Sequence, residues 1–192
     1  MDTETQLIVG AVTNLTSLSQ MIADLDDSSY TQESVALPGS TVGKHVRHLL
    51  EHFTQLLSAL PLEMPTVNYA ARKRNQDIET TVQGGVDGVD DMLRELDNCA
   101  VHIHFGEWTI DKAVRVVDIM PDGQEAVFMS TLGRELWFCS HHTVHHVAII
   151  TTLLHEMGIS TSAGLAYAPS TAKYQEQQQQ QQQQSNITNE EK

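Results

Sequence analysis

Residues 130–157 read STLGRELWFCSHHTVHHVAIITTLLHEM, and one face of this stretch carries Leu132, Leu136, Cys139, His142, His146, Ile149/Ile150 and Leu153. Steps of three and four residues keep side chains on a single stripe of an α-helix. The stretch therefore predicts a helix from about Ser130 to Met157, with Gly158 at the position where a glycine ends it. Such a helix has to bury its stripe against other helices, and the chain supplies three more. Residues 5–25 repeat the pattern with Leu7/Ile8, Ala11/Val12, Leu15, Leu18, Met21/Ile22 and Leu25. A second helix starts at Ser40 or Thr41, either of which can cap it, and stops at Pro61. Its stripe is Leu49, Phe53, Leu56/Leu57 and Leu60. A third fits 76–97 through Ile78, Val82, Val86, Val89, Leu93 and Leu96. It does so despite Gly84, Gly85 and Gly88, each of which costs a helix up to about 1 kcal/mol against Ala.

Between the third and last helices the period changes. CAVHIHFGEW and DKAVRVVDIM alternate apolar and polar residues, Asp122-Gly123 signals a turn, and QEAVFM follows. Residues 100–129 are thus expected to form two or three short antiparallel strands, with His102 and His104 on the polar face of an edge strand. Residues 61–75, with two prolines, are expected to be a loop. The expected architecture is mainly α: an up-down-type four-helix bundle with a short antiparallel β insertion between helices 3 and 4. It would occupy residues 1–160. Residues 161–192 end in a glutamine run that cannot bury a core and are expected to be a disordered, Gln-rich tail.

Composition narrows the function. The 192 residues carry 11 Lys and Arg against 25 Asp and Glu, a formal net charge of -14. So acidic a surface repels phosphate backbones, which argues against nucleic acid as a partner. The basic run Arg72-Lys73-Arg74 is too short to make a lipid-binding patch, and no apolar run approaches the roughly 18–20 residues of a membrane span. Two cysteines, Cys99 and Cys139, are too few for a disulfide framework, and the acidic N-terminus lacks the basic region of a signal peptide. A cytoplasmic location is the expectation.

The 10 histidines carry the chemistry. His45, His48 and His52 lie in the second helix; His141, His142, His145 and His146 lie in the last. Residues four apart on a helix stand one above the other, so an H-x3-H pair can aim two ring nitrogens at one ion. Of the two overlapping pairs, His142 and His146 continue the apolar stripe and point into the bundle. His141 and His145 are rotated by about 100° towards its flank. A third ligand has to come from another element, and the second helix offers several.

STVGKHVRHLLEHF and LGRELWFCSHHTVHHVAIITTLLHEMG resemble the DinB-like superfamily of metal-binding four-helix bundles. The resemblance spans most of residues 5–158. It implies one ligand from a G-x-H-x-x-H stretch, whose second histidine here is His48, and two from the H-x3-H pair His142 and His146. It also implies a metal-dependent hydrolase or a small-thiol transferase. The chain departs from commoner members in having HHVAII where many carry a His-Arg-Gly-Gln type of stretch, and in its β insertion.

Three imidazoles on one divalent ion, Zn or Ni, leave coordination positions open for water or a small-molecule substrate. His52, His45 and His145 are candidates for orienting the ligands. Cys139 is either a fourth ligand or a small buried hydrophobe. Glu51 and Glu135 are candidate general bases, and Arg47, Arg72 and Arg74 candidate anion-binding groups. No residue is singled out as catalytic or substrate-binding. Bundles of this kind often pair, so a homodimer is the expected assembly.

Overall fold

A computed structural model describes residues 2–71 and 75–161. The expected disordered tail, from residue 162 onward, lies outside these residues, as do Arg72 and Arg74. Along the chain come α1 (Thr3–Ala23), α2 (Asp27–Thr31), α3 (Val42–Ala59), β1 (Thr66–Asn68), α4 (Gln76–Thr80), α5 (Val82–His104), β2 (Ala113–Ile119), β3 (Glu125–Thr131) and α6 (Leu132–Glu156). The four long helices α1, α3, α5 and α6 form the bundle. Both α1 and α3 pack against α5 and α6. Thus α1 and α3 occupy one diagonal of the bundle and α5 and α6 the other. Placing α3 beside α6 is what brings the two histidine-rich helices face to face.

Each long helix begins at a side chain that accepts a hydrogen bond from a backbone N–H three residues on: Asp2, Thr41, Thr81 and Thr131. Caps of this kind contribute about 1 kcal/mol each. Thr41 rather than Ser40 starts α3. Gly158, at φ 74, closes α6 in the left-handed conformation. The predicted stripes form the core: Leu15, Leu18 and Ile22 of α1, Phe53 and Leu56 of α3, Val89 and Leu96 of α5, and Leu132, Leu136, Ile150 and Leu153 of α6 are all fully buried.

The region before α6 differs from expectation in three ways. The third helix is not one run over 76–97; it is broken at Thr81, which ends α4 and caps α5. α5 then continues to His104, so CAVHIH is helical rather than a strand. Cys99 and Ile103, four apart, extend the buried line of Leu96, and this packing outweighs the local alternation. His102 therefore lies in the last turn of a helix, stacked on Trp108 at 4.3 Å and bonded to Glu107. Finally, the segment expected to be a loop contributes β1. It pairs parallel to β2, with Val67 opposite Val116, while β2 and β3 form the antiparallel hairpin turned at Gly123 (φ 83). No helix among the described residues is long and apolar enough to cross a membrane.

Candidate metal centre

α3 and α6 meet through their histidines. His142 Nε2 lies 3.2 Å from His48 Nε2 and 3.1 Å from His146 Nε2. Ligand nitrogens of all three residues fall within 4.8 Å of one another, and no other set of three His, Cys, Asp or Glu side chains converges in this way among the described residues. Two nitrogens bound at 2.0–2.1 Å to a tetrahedral Zn(II) stand about 3.3 Å apart, so the observed spacings suit a shared ion. Hydrogen bonding suits it less well. A ring nitrogen has one N–H or one lone pair, so His142 Nε2 makes one good bond, not one to each neighbour. A cation satisfies all three nitrogens at once.

Burial tunes His142 and His146 towards the neutral form that binds metal. Loss of solvent, and then the neighbouring imidazoles, push His142 down to about 3 and His146 down to about 2. His45 is also held below its ordinary value, by burial and then by His145.

The other histidines divide. His45 sits behind the cluster: its Nδ1 is 2.8 Å from His146 Nδ1, and its Nε2 is 2.6 Å from Ser40 Oγ. His52 is buried, bonds the His48 carbonyl through Nδ1 at 2.9 Å, and its ring centroid is 4.3 Å from that of His142. His145 is exposed and touches the ring of His146. His141 is exposed too, stacked on Trp137 away from the cluster. The apolar stripe thus separates the inward pair from the outward one.

One participant was not expected, and one expected candidate has a different role. Tyr69, three residues before the expected loop's basic run, stacks on His52 at 4.9 Å. Its hydroxyl donates to Glu135 Oε2 at 2.7 Å. Glu135 has no exposed surface, and its other oxygen accepts from Ser130 Oγ at 2.6 Å and Arg134 Nη1 at 2.7 Å. Glu135, a candidate general base, is enclosed by Tyr69 just after β1 and by Ser130 of β3. Fully occupied by donors, it is a structural carboxylate here. Glu51 is likewise engaged, by Arg47, which also binds Glu79. Cys139 is fully buried, 3.8 Å from the Tyr69 hydroxyl, and burial pushes its thiol up to about 12. It stays protonated and packs as a small hydrophobe beside the histidines, outside the converging set.

No protein-family model matches the chain. Among curated proteins, FK506-binding protein 5 of Rhizopus delemar is 40% identical over 53 residues, 28% of this chain and 14% of that protein. Two solved structures cover most of the chain. One is a DinB-like protein from Bacillus cereus, at 19% identity and a TM-score of 0.51, covering 79% of this chain and 90% of that one. The other is YfiT from Bacillus subtilis, described as a probable metal-dependent hydrolase with an unusual four-helix bundle topology. It is 19% identical at a TM-score of 0.57, covering 82% of this chain and 89% of that one. At such identity the likeness establishes the fold.

Proposed function

We propose, from the DinB-like four-helix bundle that this chain has, that it is a divalent-metal-dependent hydrolase of small molecules, with His48, His142 and His146 as the metal ligands. The carrying observation is the spacing of the three ring nitrogens, 3.1 and 3.2 Å from His142 Nε2 to its neighbours. The description of YfiT as a probable metal-dependent hydrolase supports the reaction class. When bound, Zn(II) or Ni(II) supplies Lewis acidity and a water acidic enough to attack an ester or amide carbonyl near neutral pH.

The chain's own residues hold the site ready. α3 and α6 fix His48 and the His142/His146 pair on facing helices, so little side-chain freedom is lost on binding. His45 orients His146 from behind, and His52 packs between His142 and Tyr69. Burial keeps the His142 and His146 rings neutral. Neither Cys139 nor a carboxylate joins the converging set among the described residues, so a bound ion would keep positions open for substrate.

Metal analysis of protein purified without chelator tests the reading. Wild type should hold about one Zn or Ni ion per chain. His48→Ala, His142→Ala and His146→Ala should each lose it, while His141→Ala keeps it. A metal-free wild type that takes up neither ion would overturn the proposal. Metal-loaded protein inert across ester, amide and thiol-adduct panels, yet strongly stabilised against heat by its ion, would replace the hydrolase with a metal-stapled structural protein.

A further inference from the structure

A cavity of about 420 Å³ opens between the β2–β3 hairpin and the first turns of α6. None of the metal-centre histidines lines it; the Phe138 ring, stacked on His142 at 5.5 Å, stands between the two. Its volume suits a small molecule. Its apolar walls come from Val116, Phe128 and Phe138; Val116 and Phe128 are cross-strand partners on the hairpin face turned to the bundle, and Phe128 is half exposed. One cation lies in this lining, Arg134.

Arg134 is held in a particular way. Its Nη1 donates to Glu135, and its guanidinium lies over the Phe138 ring, 5.0 Å from the centroid. Nε and Nη2 have no partner among the described residues. Glu135 cannot turn to another ligand, because Tyr69, Ser130 and Arg134 occupy both its oxygens. The buried carboxylate therefore anchors the arginine at one nitrogen, and its half-exposed side chain lines the cavity with the rest of a planar donor fork uncommitted. Such a fork matches a carboxylate. The chain as a whole repels anions, at a net charge of -14, so affinity for one has to come from a local site. Asp118 also lines the cavity and disfavours a second negative charge on the occupant.

We propose that this cavity binds a small apolar monocarboxylate, its carboxylate on Arg134 and its hydrocarbon body against Val116, Phe128 and Phe138. The site is distinct from the histidine cluster and does not depend on a metal. Its nearness to that cluster makes it a recognition pocket for one end of a substrate or for an effector.

Ligand-observed NMR titrations of the full chain test this, with phenylacetate and hexanoate as probes and phenylacetamide and hexanamide as uncharged matches. The acids should bind at least about tenfold more tightly than their amides, the difference a charge-assisted pair makes. Arg134→Gln should remove that preference. Phe128→Glu, at a half-exposed position on the cavity face that leaves the Glu135 network intact, should weaken acid binding by a similar factor. Metal-stripped protein and His142→Ala should bind the acids as wild type does. Equal affinity for acid and amide, or no effect of Phe128→Glu, would overturn the proposal. Acid binding that vanishes with the metal would place the carboxylate on the ion and overturn it as well, while leaving the metal centre standing.

Discussion

His45 Nδ1 and His146 Nδ1 lie 2.8 Å apart, joining residues 101 positions apart in the chain. One of the two nitrogens has to carry the proton. For His146 to offer Nε2 to a metal, its proton sits on Nδ1 and points at His45. His45 is then protonated on Nε2 and donates to Ser40 Oγ at 2.6 Å. All three groups are satisfied with both rings neutral, so a single tautomer of His146 is favoured. Partners of this kind fix the orientation and basicity of a ligand. His45→Ala should weaken Zn(II) binding about 10–100-fold, with circular dichroism unchanged. A chelator-competition titration measures it, and wild-type affinity in the variant would remove His45 from the centre.

Tyr69→Phe takes one donor from a carboxylate that has no exposed surface. Two donors remain, from Ser130 and Arg134, so the loss is partial. An unsatisfied buried acceptor costs about 1–3 kcal/mol, and the variant should be destabilised within that range. Urea unfolding gives the value; the metal content should not change, because no metal ligand is touched.

The glycines of α5 are a stability test of their own. A Cβ at Gly85 would come within 2.2 Å of the Tyr30 hydroxyl, which donates to the Ile78 carbonyl at 2.8 Å from a fully buried ring. Helix propensity favours Ala by about 1 kcal/mol, but Tyr30 cannot move without giving up its bond. The clash wins, and Gly85→Ala should destabilise by about 1–3 kcal/mol. Gly10→Ala in α1 is the opposite case. Its Cβ would find nothing nearer than Ser140 Oγ at 3.8 Å, so propensity acts alone and stability should rise by up to about 1 kcal/mol. Thermal melts of both variants check the pair.

These residues also mark where the sequence was legible. His142 and His146 could be read because they sit on a stripe whose period is local, and the same period placed all four long helices. His48 needed the resemblance, since His45 and His52 share its helix and spacing alone does not rank them. Tyr69, and the burial of Glu135, were hidden for a non-local reason. Tyr69 is positioned by β1 pairing with β2 across nearly 50 residues, and Glu135 is engaged by Tyr69 and by Ser130 of β3 as well as by Arg134 of its own helix. Residues 100–104 failed differently. Val101, His102, Ile103 and His104 alternate as a strand would, while the contacts that keep them helical are those of Cys99 and Ile103 with the core. The glycines of α5 looked like weaknesses of a helix and are clearances for the Asp77 carbonyl at Gly84, for Tyr30 at Gly85 and for Ile78 at Gly88.

Acid should act on the metal-free protein through the same histidines. Folding holds His142 at about 3 and His146 at about 2, chiefly by burial, whereas the unfolded chain returns both to the ordinary value near 6.5. Above that value neither state binds the protons and the groups leave stability unchanged. Below it the unfolded chain takes up protons that the native state refuses, so stability falls as pH drops from about 6.5 towards 3. Urea unfolding of stripped protein at pH 7, 6, 5 and 4.5 should show this decline, and His142→Gln should make the slope shallower because one such group is gone. Bound Zn(II) should move the loss to lower pH, since binding to the native state adds stability that protons then have to overcome. Stripped wild type and His142→Gln with the same pH slope would mean that the His142 ring is hydrated in solution and titrates as an exposed imidazole.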